Sequence, residues 1–202
     1  ELGQERMTTA WRQLEKLDSA QRVSWLRSTW QSQMGNIVPE SRPRLVSISQ
    51  TNESGSILRS ERVLLETEAD VVVPVLILGD RRSKKLKPVV IGIGQEGKAG
   101  FLKHRAELVG QLLNGNVSIC LPDVRGTGET NAGASRGRTS EDTSLSSSEL
   151  MLGETMVGAR LRDLRAVVHY LRTRRDLDAR RLAVWGDSFT PPNAPEQDLK
   201  LP

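Results

Sequence analysis

The sequence predicts an α/β protein in which a mostly parallel sheet is preceded by antiparallel strands and a helical extension. Three observations lead there. Continuous apolar runs at 89–93 (VVIGI), 117–121 (VSICL) and 181–185 (RLAVW) alternate with helical patterns, the grammar of buried parallel strands joined by right-handed crossovers. Upstream, 45–50, 57–67 and 71–78 are rich in β-branched residues, and turn signals at Asn52-Glu53-Ser54-Gly55 and Glu68-Ala69-Asp70 separate them as in antiparallel hairpins. The last apolar run leads straight into Gly186-Asp187-Ser188-Phe189, a tight-turn sequence at the end of a strand.

Taken in order, the elements read as follows. From Thr8 to Trp30, Trp11, Leu14, Leu17, Val23, Leu26 and Trp30 recur at helical spacing. They predict one or two amphipathic helices packed on the main body, with a break near Asp18-Ser19. Pro39 and Pro43 close this section, so residues 1–44 form an N-terminal helical extension and 45–202 a single α/β domain. Pro74 has no backbone N–H to give, which puts 71–78 on a sheet edge or at a bulge. A basic linker runs from Arg81 to Lys87. A helix from Phe101 to Leu113 turns Leu102, Ala106, Val109 and Leu113 inward and stops at Asn114-Gly115. The stretch 126–148 is rich in Gly, Ser and Thr and reads as largely loop. Ser146 and Glu149 then form the capping box of a long helix. Its apolar stripe is Val157, Leu161, Leu164, Val168 and Leu171, with Arg160, Arg162, Arg165 and Arg172 on other faces.

Composition narrows the partners. The length of 202 residues suits one domain with a small extension. The net charge of +4 is spread among acids with no block of five like charges, and four Trp, two Phe and one Tyr offer little for bases to stack on. No nucleic-acid partner is expected. Cys120 is the single cysteine and lies in an apolar run, so it reads as a core residue with no intrachain disulfide. His104 and His169 are far apart and show no ligand spacing, so no metal and no cofactor is expected. No apolar run approaches the length of a membrane span, and no membrane partner is expected.

Two motifs remain. Gly92-Ile93-Gly94-Gln95-Glu96-Gly97 matches G-x-G-x-x-G after a strand and before a helix, and Asp123 ends the next strand near where a ribose-binding acid belongs. That is the reading of a dinucleotide enzyme. Against it, the fingerprint normally opens the first strand of its sheet, and a helix starting near Gly100 leaves Gly97 without its packing role. A plain glycine turn is the alternative. The second motif is Gly186-x-Ser188, which sets a serine on a strand-to-helix turn at the carboxyl edge of a parallel sheet. Thr190 stands where a second glycine is usual, so the match is to Gly-x-Ser alone.

The segments VVIGIGQEGKAG, LPDVRGTGET, the RLRDLR helix and VWGDSF, together covering residues 57 to 190, resemble the α/β-hydrolases. The likeness is to the acetyl xylan esterase and dienelactone hydrolase branch, related also to prolyl oligopeptidase-type catalytic domains. The resemblance implies the N-terminal part of an α/β-hydrolase fold and a serine esterase acting on a small-molecule or carbohydrate ester, acetylated sugar among them. Ser188 would be the nucleophile that forms an acyl-enzyme. The backbone N–H groups of Phe189 and of Gln95, with Glu96 as second choice, would form the oxyanion hole. Asp123, Arg125, Gly126 and Gly128 match an Asp-x-Arg-Gly-x-Gly loop, in which Arg125 is expected to pair with Asp123 or Asp187 and brace the rim.

A serine nucleophile needs a histidine and an orienting acid, and in this fold they follow it in chain order. After Ser188 come Glu196 and Asp198 and no histidine. His169 is expected to face solvent and His104 to be a surface residue at a helix start. The sequence therefore reads as an incomplete hydrolase domain ending just after the nucleophile turn, with the acid and histidine beyond Pro202. A dinucleotide enzyme built on Gly92, Gly94 and Gly97 and a non-catalytic hydrolase-like binding module stay open as alternatives.

Overall fold

The computed structural model describes residues 2–51, 58–80, 86–131 and 141–189. The expected turn at 52–55, most of the basic linker, part of the Gly/Ser/Thr-rich stretch, and Thr190, Glu196 and Asp198 lie outside the described residues. In chain order the elements are α1 Leu2–Glu15, α2 Ser19–Met34, β1 Arg44–Thr51, β2 Leu58–Glu68, β3 Val71–Asp80, β4 Lys87–Gly94, α3 Gly97–Asn114, β5 Ser118–Pro122, a 3₁₀ turn Gly128–Thr130, α4 Glu141–Met151, α5 Met156–Thr173 and β6 Leu177–Asp187.

The sheet order is β1-β2-β3-β5-β4-β6. The leading strands are antiparallel to one another and to β5, while β4 runs parallel to both β5 and β6. The β2–β3 hairpin turns on Asp70, whose φ of 63° is tolerated by an Asp side chain, and the register shifts between Glu66 and Glu68. Pro74 is not on an edge, because β3 lies between β2 and β5. Its carbonyl accepts the Asp123 N–H, and the β3–β5 ladder begins at the next residue, Val75 opposite Pro122. The missing N–H thus falls where β5 ends and costs no rung.

Consecutive residues of β5 face opposite layers, which fixes the sandwich. Cys120 packs with Val63, Val75, Val89 and Ile91 against Val167, Tyr170 and Leu171 of α5. Ile119 and Leu121 pack with Phe101 and Val109 of α3 on the other face. The connection through α3 leaves β4 for β5 on one side, and the connection through α5 carries the chain back to β6 on β4's other flank.

Several local expectations change. Helix α3 starts at Gly97 and not near Gly100, and Ala106 is exposed while Phe101 is fully buried. Residues Ser146 and Glu149 lie inside α4, and the long helix begins later, where the Thr155 hydroxyl accepts the Gly158 N–H. The face that α5 buries is Ala159, Asp163, Ala166, Val167, Tyr170 and Leu171, with Arg162 also inside; of the expected stripe Leu171 is fully buried and Leu164 and Val168 pack against the core, whereas Val157 is 64% exposed. Small and charged residues share this face because Asp163 and Arg162 have partners waiting beneath them, described below. Strand β6 is not buried: it is the outer strand of the described sheet, and Val184 is 53% exposed.

The N-terminal helices break where expected, with Asp18 and Gln21 forming a reciprocal capping box. They do not pack on the body. No residue of α2 is buried, and Trp11 and Trp30 are 61% and 63% exposed. The end of α2 and the residues after it meet the start of α5, where the cap residue Thr155 donates to the Met34 carbonyl and Arg162 to the Asn36 carbonyl.

Candidate active site

Strands β4 and β6 are parallel and in register to their ends, with Gly94 opposite Asp187. Gln95 and Ser188 therefore emerge side by side at one edge of the sheet. Because the chain leaves β4 and β5 toward opposite faces, a crevice opens beyond their carboxyl ends, where open α/β sheets place ligands. A cleft of about 440 Å³ lies there, lined by Ile93, Gln95, Val124, Leu161, Leu164 and Ser188 among others. Ser188 and Gln95 are exposed, and Leu161 and Leu164, which the sequence pattern assigns to the core, are half-buried walls of this cleft.

The turn after β6 is held at Phe189. Its φ of 58° places a non-glycine residue in the left-handed region, an uncommon state that needs support from its surroundings. That support is Asp187, whose Oδ1 accepts the Phe189 N–H at 2.8 Å, an Asp side chain closing a turn on the residue two ahead. Asp187 is gripped in turn by Arg105 of α3, Nε to Oδ2 at 2.6 Å and Nη2 to Oδ1 at 3.0 Å. The Arg105 hydrogen bond, followed by that from the Phe189 N–H, holds the Asp187 carboxyl below its ordinary pKa. The Phe189 ring stacks on His104 with centroids 4.9 Å apart, meets Phe101 edge-on at 5.8 Å and lies 5.6 Å from the Arg105 guanidinium.

The glycines of the G-x-G-x-x-G segment are explained by what presses on them. A Cβ at Gly92 would lie 2.6 Å from Leu121 Cδ2, and one at Gly94 would lie 2.5 Å from Phe189 Cζ. Gly97 has φ of 68° and abuts Gly128 and Asp123. The α3 N-terminus, where a pyrophosphate would sit, is occupied from within. Buried Asp123 accepts the Lys98 N–H at 2.6 Å, the Lys98 ammonium at 2.5 Å and the Glu129 N–H at 2.9 Å. Asp123 thus binds the first turn of α3 and the loop after β5, a structural role that accounts for it without a ribose.

Arg125 does pair with carboxylates, but not with Asp123 or Asp187. Its guanidinium bonds Asp163 Oδ1 at 2.9 Å and Glu68 Oε1 at 2.5 Å, and its backbone N–H also bonds Asp163. Asp163 is fully buried and takes the Thr67 hydroxyl at 3.1 Å, while Arg162 binds Glu68 and Glu154. Burial pushes the Glu68 carboxyl up, but the hydrogen bonds from Arg162 and Arg125 outweigh it and hold the group below its usual value. This network ties the β2–β3 turn, the loop after β5 and α5 together directly behind the cleft. No periodicity could have revealed it, since its members are far apart in sequence.

The fold has known counterparts. A Bacteroides fragilis protein assigned as an acetyl xylan esterase superposes with a TM-score of 0.62 at 18% identity over 82% of this chain and 46% of its own. The fold is that of part of an α/β-hydrolase. Acetyl xylan esterase 1 from Thermoanaerobacterium matches with a TM-score of 0.56 at 12% identity, over 78% of this chain and 48% of that one. The acetyl xylan esterase from Paenibacillus matches at 0.51 and 15%, over 85% and 52%. The chain thus spans about half the length of these structures. No family model and no curated protein matches it.

Within this hydrolase fold the two histidines differ. His169 is exposed on α5, as expected. His104 is exposed, as expected, but lies inside α3 and not at its start; it stacks on Phe189, and its Nε2 lies 3.5 Å from Glu96 Oε2. The signal that could have found it is its place one residue before Arg105 on the helix that backs the turn. Cys120 is fully buried, and burial pushes its thiol up to about 12. Among the described residues no group of three His, Cys, Asp or Glu is placed to hold a metal, and no helix is long and apolar enough to cross a membrane.

Proposed function

We propose that this chain is the leading part of a serine carboxylic-ester hydrolase with Ser188 as nucleophile. In this reading residues 1–44 are a helical extension and 45–202 belong to the hydrolase domain. The observation that supports it most is that Ser188 and Gln95 line one cleft at the carboxyl edge of β4 and β6. Ser188 Oγ attacks the ester carbonyl, and the negative charge that develops on the carbonyl oxygen is met by the N–H groups of Phe189 and Gln95. Donors of this kind contribute about 3 kcal/mol each to acyl transfer. The alcohol leaves, and water then releases the acyl group from Ser188. Ile93, Leu161 and Leu164 give the cleft apolar walls suited to the uncharged part of a small ester.

In this reading a histidine takes the Ser188 proton and an acid orients it, both following the serine in chain order as the hydrolase resemblance implies. The substrate class is a small-molecule or carbohydrate ester, with an acetylated sugar the candidate suggested by the xylan esterases that share the fold. The test is hydrolysis of p-nitrophenyl acetate by the full-length protein and by Ser188→Ala. Turnover abolished by the substitution supports the reading, turnover that survives it places the chemistry on a group other than Ser188, and none in either protein points instead to a non-catalytic hydrolase-like module. Residues 1–202 alone are expected to hydrolyse this ester poorly.

A further inference from the structure

We propose that Arg105 is a positioning residue for the nucleophile turn, acting through Asp187 on the Phe189 N–H. The inference rests on the serine reading above and adds a part to it. Four observations converge. Arg105 sits at the one non-helical residue inside α3, with φ −129° and ψ 22°. The kink in α3 thus falls at the residue whose side chain reaches Asp187. The engagement is a two-pronged grip on both oxygens of Asp187, with Nη1 turned back to the His104 carbonyl at 3.1 Å. The next link is the Phe189 N–H on Asp187 Oδ1. Finally, the same guanidinium lies over the Phe189 ring while His104 stacks on it.

The chemistry follows from which atoms are shared. In the resting arrangement Asp187 Oδ1 receives both the Phe189 N–H and Arg105 Nη2. When an oxyanion forms beside Ser188, the N–H has to turn from Asp187 toward it. Arg105 remains on Oδ1 and Oδ2, so the carboxylate is not stranded, and its charge is already drawn on by the guanidinium, so it releases the N–H readily. Without Arg105 the turn at Phe189 loses its brace, and Asp187 becomes the stronger competitor for the donor. Either effect weakens an interaction made in the transition state and leaves ground-state binding alone.

The experiment uses the full-length protein with p-nitrophenyl acetate as the probe, and compares wild type, Arg105→Gln, Arg105→Lys, Asp187→Asn and Ser188→Ala. Arg105→Gln is expected to lower kcat by about tenfold or more with KM unchanged, the pattern of a lost transition-state interaction. Arg105→Lys should recover part of the loss. Amide hydrogen exchange at Phe189, followed by NMR or mass spectrometry, should change by about tenfold in Arg105→Gln, the size of one charge-assisted hydrogen bond. Thermal unfolding should stay at the wild-type midpoint, and Asp187→Asn, which leaves a neutral acceptor for the Phe189 N–H, should not reproduce the stronger competition expected in Arg105→Gln. Wild-type kcat in Arg105→Gln, a change in KM alone, or an unchanged Phe189 amide would overturn the proposal. Exchange at Phe189 does not depend on the serine being reactive. Turnover surviving in Ser188→Ala therefore identifies failure of the serine reading, and with it the catalytic meaning of Arg105, separately from failure of the grip itself.

Discussion

The Phe189 ring rests on Gly94 so closely that a single methyl group at 94 would lie 2.5 Å from its Cζ. This contact links the two strand ends that carry the candidate site, because Gly94 precedes Gln95 and Phe189 follows Ser188. Gly94→Ala is therefore expected to force the ring and the turn away from the β4 end while leaving the sheet intact. Displacements of about 1 Å in a positioned site cost about a hundredfold in rate. Steady-state hydrolysis by the full-length variant, with far-ultraviolet circular dichroism to verify the fold, checks this outcome.

The network behind the cleft carries stability. Asp163 is fully buried with Arg125 as its charged partner. Removing one member of such a pair strands the other, which costs about 3–5 kcal/mol. Arg125→Ala should lose stability of that order in urea unfolding. Arg165→Ala, on the exposed face of the same helix, should change it little.

The pH dependence of stability has a defined sign at Glu68. Its carboxyl titrates below the ordinary value of 4.5 in the folded protein, because Arg162 and Arg125 outweigh burial. Unfolding raises its affinity for a proton, so its contribution is complete above the ordinary value and is lost as the pH falls through the folded one. Comparing denaturant unfolding of wild type and Glu68→Gln from about pH 7 down to about pH 3 should give a stability gap that closes on the acid side.

Cys120 sits in the core between β3 and β4, and burial holds its thiol protonated at neutral pH. Thiol-specific reagents should not modify the native protein and should modify it fully in denaturant, since the thiolate is the reacting form.

The strands and the turn after β6 were legible in the sequence because they rest on local signals. Apolar runs at 89–93, 117–121 and 181–185 became β4, β5 and part of β6, and their order with the glycine segment and Gly186-x-Ser188 pointed to the hydrolase fold. What pattern reading misplaced depends on pairs distant in sequence. The face of α5 was read in part: Leu171 is in the core and Leu164 and Val168 pack against it, but Arg162 and Asp163 are also buried, by Glu68 and Arg125, which no helical periodicity reports. Strand β6 reads as buried because Leu182, Val184 and Trp185 are apolar, yet Val184 stands open on the outer strand. The same holds for Trp11 and Trp30, whose helical spacing is real but whose face meets no partner among the described residues. At the site, Gly94 and Gly97 were visible as a motif, but their reasons, Phe189 and Asp123, lie far along the chain.

The most direct test of the account is covalent labelling of the full-length protein by a fluorophosphonate, with the modified residue located by mass spectrometry. The account predicts a single adduct on Ser188 that disappears in Ser188→Ala, with reactivity rising as the base that activates the serine loses its proton. An adduct elsewhere, or no adduct in a folded full-length protein, would contradict it.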